Sequence, residues 1–178
     1  GGLYIQANVN ATVFASTVAF NMAGNQGGGA WVNGSLTLDR SIVSDNSAGV
    51  AGPEGFLSGG NVNSNGFNLV RDNSNFPISP VTGDQIGTFG SPISPNLLGL
   101  TDNGGPTQTI ALGGMSPAID AGPLDPSPLF ADQRGFARDR DGDRNGSMIT
   151  DIGAFEVQSP SDYFVDDIGG GTIIGGFA

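Results

Sequence analysis

The 178-residue chain contains no cysteine and no histidine, and all six of its basic residues are arginine. Without Cys there are no disulfides and no thiol nucleophile. Without His there is no Ser-His triad and no imidazole acid–base catalysis, and zinc sites of the common kind are excluded as well. The missing Cys leaves the compartment open, because it says only that stability comes from something other than covalent staples. Positive charge is scarce too: 17 acidic residues give a net charge of −11. Such a surface repels nucleic acid and anionic lipid and is complemented by divalent cations. No apolar run approaches the roughly 18 residues that a membrane-spanning helix needs, so membrane insertion is not expected.

What the chain does have is repetition. Ser41-Ile42-Val43-Ser44-Asp45-Asn46-Ser47 returns as Asn68-Leu69-Val70-Arg71-Asp72-Asn73-Ser74, 27 residues on, and is foreshadowed by Ser16-Thr17-Val18-Ala19-Phe20-Asn21 at a spacing of 25. Gly1-Gly2-Leu3-Tyr4-Ile5 reappears as Gly28-Gly29-Ala30-Trp31-Val32, and Gly59-Gly60-Asn61-Val62 opens another copy. Apolar residues alternate within the unit, as in Leu36-Thr37-Leu38 and Thr12-Val13-Phe14, which is a strand pattern. A strand unit of this length cannot bury its own apolar face and must stack on its neighbours. The fold expected is therefore all-β, a parallel β-helix or solenoid of about three regular coils plus an irregular C-terminal cap. The 31 glycines and 11 prolines are read as turn and stacking positions, because the apolar residues among them are periodic. Asn21, Asn46 and Asn73 are expected to stack as an amide ladder at one corner, where Asn also tolerates the left-handed conformation a sharp bend needs. Tyr4, Trp31 and Phe56 are expected to plug the interior or cap a coil, since large aromatics are mostly buried; the competing reading is an exposed strip able to stack on sugar rings.

Three segments follow. Residues 1–100 carry the coils, with a turn-rich excursion at Val50–Gly55 and a proline-punctuated stretch after Phe76 expected to run over the last coil. Residues 101–156 form the cap, in which Ser116-Pro117 is expected to start a strand with Ala118 facing inward. Asp120, Asp132 and Arg134 are expected there to tie loops to the coils by charge-assisted bonds. Residues 157–178 read as a linker and a β-prone tail suited to augmenting a neighbouring copy. Gly1-Gly2 enters a repeat directly, so the chain reads as the C-terminal portion of something longer or as a mature form.

Four motifs stand in order within this region: Leu100–Thr109 (LTDNGGPTQT), Gly114–Gly122 (GMSPAIDAG), Asp132–Phe136 (DQRGF) and Asp151–Glu156 (DIGAFE). Together with the upstream Gly-Gly and Ser-Asp-Asn-Ser repeats, they resemble the C-terminal signature of the right-handed parallel β-helix surface proteins called choice-of-anchor Q domain proteins, related to the polymorphic outer-membrane protein repeats. The resemblance spans about residues 1–156. It implies a right-handed β-helix, an extracellular or cell-surface bacterial location, and no catalytic role for the motifs.

The sharpest chemical motif is Asp139-Arg140-Asp141-Gly142-Asp143-Arg144-Asn145-Gly146. Counted from Asp141, Asp-x-Asp-x-Asn-Gly matches the first half of a calcium loop, with oxygen ligands at alternate positions and a glycine for the bend. The second half departs: Ile152 stands where the bidentate Glu belongs, with Asp151 one place early. Candidate Ca²⁺ ligands are thus Asp139, Asp141, Asp143, Asn145 and Asp151, against a solvated acidic–basic loop with no metal. The function expected is a non-enzymatic structural or adhesive surface module, self-associating through its coil ends and tail into a head-to-tail fibre. The alternatives are a calcium-dependent glycan-binding module or, less favoured, a polysaccharide lyase or hydrolase, for which only Asp45 and Asp72 form an obvious carboxylate pair.

Overall fold

A computed structural model describes residues 1–158. The described chain is all-β, without helix, and is built from short strands in stacked sheets. β1 (Leu3–Ile5), β2 (Asn10–Phe14), β3 (Thr17–Ala19) and β4 (Met22–Ala23) make the first copy, followed in the second by β5 (Ala30–Val32), β6 (Ser35–Asp39), β7 (Ile42–Ser44) and β8 (Ser47–Ala48). The third has β9 (Gly55–Leu57), β10 (Asn61–Ser64) and β11 (Leu69–Val70). Each strand pairs in parallel with its sequence equivalent, giving sheets β1-β5-β9, β2-β6-β10, β3-β7-β11-β12 and β4-β8, where β12 is Gln85–Ile86. Thr17↔Ile42↔Leu69 and Asn10↔Ser35↔Asn61 are in register, so the sequence period is the pairing distance. This is an arrangement compatible with a β-solenoid.

The corners explain how so polar a chain stacks. At the entry to the β3-β7-β11 sheet, the Ser16 N–H donates to Ser41 Oγ (3.1 Å), the Ser41 N–H to Asn68 Oδ1 (2.9 Å) and the Asn68 N–H to Asp84 Oδ1 (2.8 Å). At its exit, the Asn21 N–H and Nδ2 both donate to Asn46 Oδ1 at 3.0 Å, and the Asn46 N–H and Nδ2 donate to Glu54 Oε2. Corner N–H groups that would otherwise be orphaned are therefore handed from copy to copy, and each column ends on a carboxylate. The expected amide ladder is present between Asn21 and Asn46, but Asn73 is not its third rung. The Val50–Gly55 excursion brings Glu54 under Asn46, while the Asn73 backbone turns away and donates to Gly87 O. Nor do the asparagines take the left-handed conformation. The residues before the column members do: Ala15, Phe20, Arg40, Asp45 and Phe67 all have φ between 42° and 59°.

Alternation then divides the apolar residues. Ile5, Ala30, Val32, Leu36, Leu38, Val43, Val62 and Val70 fill the interior of the stack. Phe76 and Ile78 join them, and Asn75 O accepts the Leu57 N–H (2.7 Å), so this segment closes the end of the stack as the proline-rich stretch predicts. The neighbours of Val43 and Val70 in register, Ile42 and Leu69, face the other way. They are covered by Ala111, Leu112, Ala118, Ile152, Phe155 and Val157. The region after residue 100 thus lies along the flank of the β3-β7-β11 sheet and not across the end of the stack. β13 (Leu97–Thr101) and β14 (Thr109–Leu112) form its antiparallel hairpin. Ser116–Asp120 is a turn, not the expected strand, with the Ile119 N–H donating to Ser116 O; Ala118 nevertheless faces inward and is fully buried. Val157, assigned from sequence to the linker, belongs to this flank core. The expected tail strands lie outside the described residues. Among the described residues no helix is long and apolar enough to cross a membrane.

Candidate functional site

The acidic loop folds on itself. Asp141 Oδ1 and Oδ2 accept the N–H groups of Asn145 (3.0 Å) and Gly146 (2.9 Å), and Asp143 Oδ1 accepts the same Asn145 N–H at 2.9 Å. Asp120 completes the group from outside the loop: its carboxylate accepts the N–H groups of Gly142 (3.2 Å) and Asp143 (2.7 Å). One carboxylate oxygen each from Asp120, Asp141 and Asp143 then lie within 4.8 Å of one another. Burial, then the neighbouring Asp143 charge, pushes the Asp120 carboxyl above the ordinary aspartate range. Of the sequence-expected ligands, Asp141 and Asp143 are brought together, and Asp139 is outside the group. Asn145 Oδ1 accepts the Ser147 N–H at 2.8 Å. Asp151 is buried elsewhere, its two oxygens accepting the N–H groups of Asp120 (2.8 Å) and Val157 (2.7 Å). Asp120 could not be found from loop spacing, because only the fold brings it to Asp141. Each oxygen that accepts one N–H keeps a second lone pair, so the three carboxylates could still hold a hard cation.

Beside this loop, two sequence motifs lock into each other. Asp132 Oδ1 accepts the N–H groups of Arg134 and Phe136, while Oδ2 accepts Arg134 Nε–H (2.8 Å) and the Glu156 N–H (3.1 Å). Arg134 Nη2 donates to Glu156 O, and its guanidinium lies 3.6 Å from the centroid of the Phe155 ring. Arg138 reaches across to Gly153 O (2.7 Å) and stands 3.5 Å from Glu156 Oε2. Glu156 Oε2 accepts the Asp151 N–H, whereas buried Oε1 has no hydrogen-bond partner among the described residues. Desolvation pushes both Asp151 and Glu156 above the ordinary carboxyl range, reinforced at Glu156 by the Asp151 charge and at Asp151 by that of Asp120. The expected tie between Asp132 and Arg134 is therefore present, but Asp120 is held by backbone N–H groups instead of by an arginine. These polar groups bind backbone and one another, as a structural lock does.

The repeat carboxylates are likewise engaged. Asp45 pairs with Arg71 (3.2 Å), and Asp72 Oδ1 accepts the N–H and Oγ–H of Ser74. Glu54, which the sequence reading passed over, is 1% exposed; burial raises it to about 7, opposed by its bonds from Asn46. Its signal was composition: it is one of only two glutamates in the chain, standing alone in a turn-rich excursion.

The aromatics do not plug the interior. The register Tyr4↔Trp31↔Phe56 sets them in a column on the outer face, with Tyr4 64% exposed. The Tyr4 and Trp31 rings stack at 4.9 Å and 12°. They border a cleft of about 330 Å³ shared with Leu3, Asn25, Gln26 and Gly27.

In comparisons with known proteins, no family model, no curated protein and no solved structure matches the chain.

Proposed function

We propose that the chain is a non-enzymatic structural or adhesive surface module, a right-handed parallel β-helix of about three coils acting as a stiff spacer that propagates head to tail. The observation that carries this reading is the pair of polar columns, Ser16–Ser41–Asn68–Asp84 and Asn21–Asn46–Glu54. They run along the stacking direction and commit the polar side chains of the repeat to holding one copy on the next. β1, β2 and β3 each pair on one side only among the described residues, which leaves edges suited to a further parallel strand. A contact between such an edge and a different surface of another copy is heterologous, and where its rotation does not close a ring it extends into a filament. The extracellular or cell-surface location rests on the sequence resemblance.

Electron microscopy of the purified chain at high concentration, with and without calcium, tests the reading. Filaments or straight rods are expected, and uniform compact particles under both conditions would overturn the fibre. Incubation with pectin, alginate and glucans, followed by assays for reducing ends and unsaturated products, tests the non-enzymatic half. A product that disappears in Asp45→Asn would restore the lyase or hydrolase alternative.

A further inference from the structure

We propose that the cleft beside Tyr4 and Trp31 binds a neutral oligosaccharide built of hexopyranose rings. The inference rests on the adhesive reading above and names what the surface would adhere to. A pyranose ring has an apolar face of C–H groups and a rim of hydroxyls, and it is recognised by an aromatic plate with amide or hydroxyl groups at its edge. The cleft supplies both. Parallel register lays Tyr4 on Trp31 at 4.9 Å and nearly coplanar, so one face of Tyr4 is covered by Trp31. Tyr4 is nevertheless 64% exposed and contributes little to the interior, which its neighbour Ile5 fills. Asn25 and Gln26, which carry amide side chains, line the same cleft together with Gly27. The glycines keep this wall low: a Cβ on Gly1 would lie 2.8 Å from Gly27 O, and Gly27 itself has φ +70.

Size and charge narrow the ligand. About 330 Å³ is near the lower limit of small-ligand sites, room for one or two rings with the remainder of the chain outside. No Asp, Glu or Arg lines the cleft, while the whole chain carries −11. The one local charge is the Gly1 ammonium, which donates to Met22 O (2.9 Å), and against the −11 of the whole chain polyuronates and sulfated glycans are still repelled and neutral glycans favoured.

Trp31 is the chain's one tryptophan, so its emission reports occupancy directly. The 178-residue chain is titrated with cello-, chito- and manno-hexasaccharides, and with a galacturonate hexasaccharide as the charged probe. A saturable shift of Trp31 emission with at least one neutral sugar and none with the charged one is expected. Tyr4→Ala should weaken binding about tenfold, as should the double variant Asn25→Ala/Gln26→Ala, which removes the two amides and keeps the backbone bridge from Gln26 to Ala51. Phe89→Ala, at a remote exposed ring, should bind as the parent does. The proposal is overturned if no neutral sugar moves the emission, or if both variants bind unchanged. It is also overturned if Tyr4→Ala abolishes self-association in sedimentation without any sugar response, which would make the cleft a contact between copies. Rods without sugar binding would sink this inference alone, whereas compact particles would sink the scaffold reading.

Discussion

Strain at single residues is what the two polar columns hold in place. Ala15, Phe20, Arg40, Asp45 and Phe67 occupy the left-handed region without being glycine, each at a cost of about 1–3 kcal/mol. The residue that follows each of them makes or receives a column bond. Asn46 is the most connected of these. Its Oδ1 takes two donors from Asn21, and its Nδ2 donates to Val18 O, Ser44 O and Glu54 Oε2. Asn46→Ala should therefore cost about 3 kcal/mol, since it strands buried groups on both sides, whereas Asn21→Ala, at the end of the column, should cost about 1 kcal/mol; urea midpoints at constant slope check both. Equal costs would deny the column. Glu54 makes a second prediction. Its carboxyl titrates near 4.5 when unfolded and about 7 when folded, so between those values the native state holds more protons than the unfolded one. Stability consequently falls as pH rises from about 4.5 through 7, by up to about 3 kcal/mol from this group. Glu54→Gln keeps an oxygen for Asn46 and removes the proton, so its thermal midpoint should vary less across that window and exceed the parent's at pH 8. A parent whose stability rises from pH 5 to 8 would refute the assignment.

At the scale of elements, the flank fits onto the stack through one close approach besides its apolar core. Gly153 has φ +103, its N–H donates to Arg40 O, and a Cβ there would meet Thr17 Oγ1 at 2.8 Å and Ile42 Cδ1 at 2.9 Å. Gly153→Ala combines backbone strain with a clash against two strands and should cost about 3 kcal/mol or more, with early amide exchange in β3 and β7. Gly135→Ala, at φ +91 but facing open space, should cost only about 1–2 kcal/mol. Similar losses at both positions would mean that the flank is not docked through Gly153. The same contacts show what could be read in advance. Period and alternation were visible because the strands pair with their own equivalents, so Ile42↔Leu69 is written in the repeat itself. The Asp132–Arg134 tie was visible as a short-range charge pair. The side on which Ile42 and Leu69 are covered was not visible, because it depends on residues more than 40 positions away whose only marks are ordinary apolar ones. Glu54 as the last rung was hidden for a different reason: an excursion breaks the period just where the ladder needed its third member.

Over the whole molecule the dominant fact is charge, −11 over 178 residues, with three carboxylates drawn together at Asp120, Asp141 and Asp143. That cluster joins the loop of residues 139–146 to the turn ending at Asp120, and Asp120 is tied through its N–H to buried Asp151. A cation bound there would relieve repulsion and brace the loop against the turn that ends at Asp120. The loop lacks the bidentate twelfth-position ligand, so if calcium binds, the dissociation constant expected is on the order of 10⁻⁴–10⁻³ M. At ten times such a dissociation constant, calcium would stabilise the fold by about 1.4 kcal/mol, a rise of roughly 3–6 °C in the thermal midpoint for a chain of this size. General screening of an acidic surface also raises the midpoint, so the measurement is a scan with calcium against sodium at matched ionic strength. Asp120→Asn should abolish the calcium-specific part, and Asp139→Asn, outside the three-carboxylate group, should preserve it. A response to calcium equal to that of sodium, or one that Asp139→Asn removes and Asp120→Asn leaves intact, would return the loop to a solvated turn whose carboxylates serve only its own N–H groups.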